Sequence, residues 1–142
     1  MIMLKKTGLS ILSLSLILVA SGCGGNSGKP IPSIYANQWA GNWSSQSGND
    51  GGTMNLQVFQ DGSVTGSMTR KGGFTGSLSG RVEGNGTLRM FAGFGGDGNY
   101  DIEGEVLLNG GRLLGSMTYL YQGFRYGGDL NLQPQTATPD GD

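Results

Sequence analysis

The sequence predicts an all-β protein, a small antiparallel up-and-down barrel of about eight strands, with a two-sheet β-sandwich as the alternative. Three observations lead there. Apolar and polar residues alternate with period 2 nearly throughout residues 39–133, as in strands with one dry face. Turn signals built from Gly, Asn and Asp punctuate that alternation. Gly accounts for 29 of 142 residues, about three times its usual frequency of roughly 7%. Long helices are therefore disfavoured, because each interior Gly costs about 1 kcal/mol relative to Ala. Collagen is excluded, since the glycines do not recur every third residue and Pro occurs only 4 times.

The strands follow in order from a recurring pattern of apolar, any, Gly, any, apolar. It occurs at Trp39–Trp43, Val64–Met68, Phe74–Leu78, Ile102–Val106 and Leu113–Met117. Met54, Leu56 and Val58 keep the alternation without the central Gly, as do Leu88, Met90, Ala92 and Phe94. A last strand reads Phe124, Tyr126, Gly128, Leu130 and Leu132. Asp61-Gly62 predicts a two-residue type I′ hairpin, in which both central residues need positive φ. Lys71-Gly72-Gly73, Gly84-Asn85-Gly86, Asn109-Gly110-Gly111 and Gln122-Gly123 are similar punctuation, and residues 95–99 form a longer loop. Tight hairpins join only antiparallel neighbours.

Glycines and apolar residues mostly share one parity. Thr65, Ser67, Ser77, Ser79, Arg81, Asp101, Glu103, Glu105, Arg125, Asp129 and Asn131 take the other. A meander with such faces closes most simply with its apolar face inward, which also removes exposed edges. A transmembrane barrel needs the reverse arrangement. Arg81, Arg89, Glu103 and Glu105 on the outer face argue against it.

Ahead of the domain, Lys5 and Lys6 precede an apolar stretch, Leu9–Ala20, and the small residues Ser21 and Gly22. This is the pattern of a secretory signal over residues 1–22. Val19-Ala20-Ser21-Gly22-Cys23 resembles the lipobox of bacterial lipoproteins. The resemblance implies cleavage before Cys23, a diacylglyceryl group on its thiol and an acylated new amino terminus, so that the membrane is a partner through the lipid on Cys23. Several acyl chains give stable anchoring. Gly24, in place of the Asp that often favours inner-membrane retention, leans toward the outer membrane in a diderm organism, facing the periplasm or the cell surface. Residues 23–38, rich in Gly, Ser and Asn with two prolines, read as the lipidated Cys and a flexible linker. Residues 134–142 read as a disordered tail.

Composition also excludes chemistry. With no His and one Cys, the chain has neither a His-dependent catalytic unit nor a Cys-cluster zinc site. A formal charge of -1 lacks the basic excess of a nucleic-acid binder. Asp97-Gly98-Asn99-Tyr100-Asp101 alternates oxygen ligands, but an EF-hand loop starting there would place Leu108 where calcium needs a bidentate Glu. A turn entering a strand is the better reading, and no cofactor or metal is expected. Asp101, Glu103 and Glu105 form a row on one convex face, without the cleft that paired catalytic carboxylates require.

Gly41-Asn42-Trp43 resembles the Gly-x-Trp that opens the first strand of lipocalins and the similar start of avidin-like barrels. That resemblance implies a calycin-like barrel carrying a small apolar ligand. Trp43, Tyr100, Tyr119, Tyr121 and Tyr126 are then the candidate ligand-binding residues, with tyrosine hydroxyls as orienting groups. Against this, eight-stranded interiors are just wide enough to fill with their own side chains. Phe59, Phe91, Leu107, Leu114 and Leu120 break the outward polar pattern and are candidates for a partner surface. The expected function is a non-enzymatic, lipid-anchored envelope protein with a binding or structural role. A small-ligand carrier is the alternative. So is a periplasmic protease inhibitor, because size and strand count look like a bacterial inhibitor family built on a small eight-stranded barrel.

Overall fold

The computed structural model describes residues 32–135. The lipobox with Cys23, most of the linker and nearly all of the tail lie outside the described residues.

Eight strands follow one another: β1 (Asn37–Ser45), β2 (Gly51–Val58), β3 (Ser63–Thr69), β4 (Thr75–Val82), β5 (Thr87–Gly93), β6 (Asn99–Asn109), β7 (Arg112–Tyr121) and β8 (Phe124–Pro134). Each pairs antiparallel with the next, and β8 closes on β1, so the sheet is a barrel and not a sandwich. The inward parity is the one the alternation predicts. Trp39, Trp43, Met54, Leu56, Met68, Ile102 and Leu132 are buried, whereas Asp101, Glu103, Glu105, Arg125 and Asp129 are exposed.

The inward glycines let neighbouring strands approach closely. A Cβ at Gly66 would run into the backbone carbonyl of Asn55 on β2, and one at Gly41 into that of Asn131 on β8. Such positions give a small closed sheet its strong bend.

One hairpin differs from expectation. Asp61 does not take positive φ, and only Gly62 (φ 88°) does. The Gly62 N–H donates to the Phe59 carbonyl, and Asp61 turns its side chain inward on the loop to accept from the Ser63 N–H at 2.9 Å. Asp61 thus gains a local hydrogen bond in place of a left-handed backbone. The Ser63 hydroxyl and N–H together lower its pKa. The two-residue turns with paired positive φ are Gly110-Gly111 and Gln122-Gly123.

The linker also ends earlier than expected. Ser33 N–H donates to the Gln60 carbonyl, Ala36 N–H to Ser33, and the Trp39 indole to the Tyr35 carbonyl at 2.8 Å. Tyr35 is buried beside Trp39, so residues 33–36 plug one end of the barrel and belong to the domain. The apolar spacing that marks the strands does not extend to this turn, which is why its inclusion is not visible in the pattern.

The apolar outward residues do not form one patch. Leu107 pairs with Leu114, while Phe91 and Leu120 flank Asp101 further along β6. Phe59 lies in the β2–β3 turn.

Candidate functional site

In an up-and-down meander, alternate hairpins share an end. The β1–β2, β3–β4, β5–β6 and β7–β8 loops therefore gather opposite the Tyr35 plug. There the barrel opens into a cleft of about 290 Å³ lined by residues that include Ser45, Asp50, Arg70, Tyr100, Tyr119 and Tyr126. Below the cleft the interior is occupied by buried core side chains, Trp43, Met54, Met68, Ile102 and Leu132 among them.

The floor is aromatic. Tyr100 stacks on Tyr119 with ring centroids 4.7 Å apart, and Tyr119 on Tyr126 at 5.3 Å. Trp43 meets Tyr119 edge-on at 5.6 Å and donates its indole N–H to the Thr69 carbonyl. It supports the floor from beneath and does not line the cleft. Of the five aromatic residues singled out from the sequence, the four tyrosines line the cleft together. Tyr126 differs from its expected interior position. It lies at the rim, 37% exposed, because the strand pairing carries β8 out past the packed layers there.

Asp50 organises the charged part. Its Oδ1 accepts from its neighbour's N–H on Gly51 (2.9 Å) and from the Lys71 N–H (3.2 Å). Its Oδ2 accepts from the Tyr100 hydroxyl at 2.6 Å. One carboxylate thus ties the β1–β2 loop to the β3–β4 loop and to β6. Burial, then the Asp50 hydrogen bond and charge, push the Tyr100 phenol far above its ordinary range. Burial and Asp50 also raise that of Tyr119. Both remain neutral hydroxyls at physiological pH.

Arg70 lies over the aromatic floor. Its guanidinium carbon is 4.7 Å from the Tyr121 ring centroid, 5.1 Å from Tyr100 and 5.4 Å from Phe94. Its Nε is 3.6 Å from Asp50 Oδ2, an ion pair too long for a hydrogen bond. Among the described residues that buried Nε has no hydrogen-bond partner. Tyr121 donates to the Asp97 carbonyl at 3.1 Å, which fixes the β5–β6 loop to the rim. A short 3-10 turn over Gly95–Asp97 leads through Gly98 into β6, where Asn99, Tyr100 and Asp101 already lie.

Asp50, Arg70, Lys71, Ser45 and Ser47 are not apparent as site residues from local sequence. Their signal is topological, since each lies in or beside a loop on the open end. A larger recess, about 860 Å³, lies on the outer wall over β1, β6, β7 and β8. It is lined by outward side chains such as Asn42, Arg112 and Asp129 and lacks an aromatic floor. Among the described residues, the mouth brings charged, hydroxyl and aromatic groups together on one point.

Neither a protein-family profile nor a curated protein matches the chain. Among solved structures it is similar to that of a rhizavidin–biotin complex. The TM-score is 0.52 and the identity 22%, over 74% of this chain and 99% of that one. At this identity the likeness shows the fold alone, a closed eight-stranded antiparallel β-barrel.

Proposed function

We propose that this protein is a non-enzymatic small-ligand-binding barrel of the cell envelope, anchored to the membrane by lipid on Cys23. The observation that carries the binding role is the open aromatic mouth. Its four tyrosines face a cleft large enough for a small molecule, while the opposite end is plugged by Tyr35. Its volume, near 290 Å³, lies at the lower edge of ligand pockets, which run from roughly 300 to 1,000 Å³. The ligand is therefore small, with an apolar body for the tyrosine surface and a polar end for the charged rim. The fold shared with a biotin-bound protein supports a binding role and makes biotin a natural first probe.

Two experiments test the two halves. Titration of biotin and a panel of small aromatic compounds into the full chain in non-ionic detergent should reveal saturable binding. Tyr126→Ala should weaken it several-fold, and an absence of binding across the panel would remove the ligand role. Replacing Cys23 by Ser should release the protein from membranes, and unchanged membrane association would refute the lipid anchor.

A further inference from the structure

The mouth has a charge preference built into its hydrogen bonding, and this inference rests on the ligand-binding reading above. Three charged side chains line the cleft: Asp50, Arg70 and Lys71. Asp97, on the neighbouring loop, is not among the lining residues. The single carboxylate is already occupied. Its two oxygens accept from Gly51, Lys71 and Tyr100. Arg70 is the opposite case. It is held over three rings, 3.6 Å from the carboxylate, and its buried Nε has no partner among the described residues. Lys71 spends its backbone N–H on Asp50, while its side chain is exposed at the rim. The oxygens of the cleft's carboxylate are thus occupied, whereas Arg70 Nε has no hydrogen-bond partner among the described residues and the Lys71 side chain is exposed.

We propose that the cleft selects a small planar carboxylate, an aromatic or heteroaromatic acid. The ring lies against the tyrosine lining of the cleft, and the carboxylate meets Arg70 and Lys71. The Tyr119–Tyr126 stack, with ring planes 21° apart, lines the same cleft as Arg70 and Lys71. The serine pair adds neutral polarity, since Ser45 and Ser47 share a hydrogen bond of 2.7 Å between their hydroxyls. A guanidinium binds a carboxylate through a planar fork, which a ligand without that group does not reproduce. Cationic ligands meet two like charges, and Asp50, the one carboxylate among the described residues lining the cleft, is already bonded to its own chain.

The test compares three probes of one shape and different charge: benzoate, benzamide and benzylammonium. Each is titrated into the full chain in non-ionic detergent, by calorimetry and by NMR of labelled tyrosine rings. Benzoate should shift the Tyr119 and Tyr126 resonances and bind about tenfold more tightly than the other two. Arg70→Gln should abolish that preference. Because Arg70 also packs against Asp50, a second variant leaves it intact: Asn49→Asp is isosteric and exposed, and adds a negative charge at the cleft. It should weaken benzoate binding about threefold or more and strengthen benzylammonium binding. Benzamide or benzylammonium binding at the mouth as tightly as benzoate would overturn the charge preference and leave the mouth a ligand site. If none of the three moves the tyrosine resonances at millimolar concentration, the charge preference fails; if biotin and the wider panel also leave them unmoved, the ligand-binding reading fails with it.

Discussion

The Tyr100 hydroxyl donates to Asp50 Oδ2 at 2.6 Å, joining residues 50 positions apart at the open end of the barrel. Without it, Asp50 keeps only two backbone donors and its long approach to Arg70. Tyr100→Phe retains the ring stack and deletes this bond. Because the acceptor is charged but close to solvent, the expected loss is about 1–2 kcal/mol. Urea unfolding of the variant checks it, and an unchanged midpoint would show the latch to be unimportant for stability.

Alkaline pH should loosen the same end. Tyr100 and Tyr119 ordinarily titrate at 10.0, and burial raises both in the fold. Above about pH 10 the unfolded chain therefore binds fewer protons than the folded one, so stability falls as pH rises. Below that pH these groups contribute no pH dependence. The slope is at most about 1.4 kcal/mol per pH unit for each tyrosine, less where water reaches the hydroxyl. Tyrosinate absorbance at 295 nm followed together with circular dichroism provides the measurement. Full tyrosine ionisation near pH 10 with the fold intact would contradict the shifts.

Gly66→Ala tests whether the inward glycines are structural. The added methyl would collide with the Asn55 carbonyl on β2, a backbone group that moves only with its strand. The expected cost is more than about 2 kcal/mol. Gly84, whose Cβ would meet open space and whose φ is not positive, is the control. Equal stability loss in Gly66→Ala and Gly84→Ala would argue against close strand approach.

Tyr35 should behave as core although it precedes every strand. Tyr35→Ala removes a buried ring and is expected to cost about 3 kcal/mol, within the range for large core truncations. Thermal melting decides between this and the behaviour of a linker residue, which would show no change.

Much of the barrel was legible because β-sheet alternation is a local signal. Trp39, Trp43, Met54 and Met68 share a parity that the sequence displays directly, and β1–β8 closure follows from an apolar face with no other place to go. Tyr35 and Asp61 depart from the sequence pattern for one reason: each is fixed by a hydrogen bond or contact made outside a strand. The site shows the same division. Tyr100, Tyr119, Tyr121 and Tyr126 stand out as aromatic residues at strand positions. Asp50 and Arg70 gain meaning only when the β1–β2 and β3–β4 loops meet, and no residue-by-residue pattern encodes that meeting.

The Gln135 N–H donates to the Gln38 carbonyl at 2.9 Å, so both ends of the described chain leave the barrel beside the Tyr35 plug. The barrel of described residues has two unlike ends, one closed by Tyr35 and the other open and lined by tyrosines. A label or surface coupled at residue 32 or residue 135 would therefore attach at the closed end, across the barrel from the tyrosine mouth.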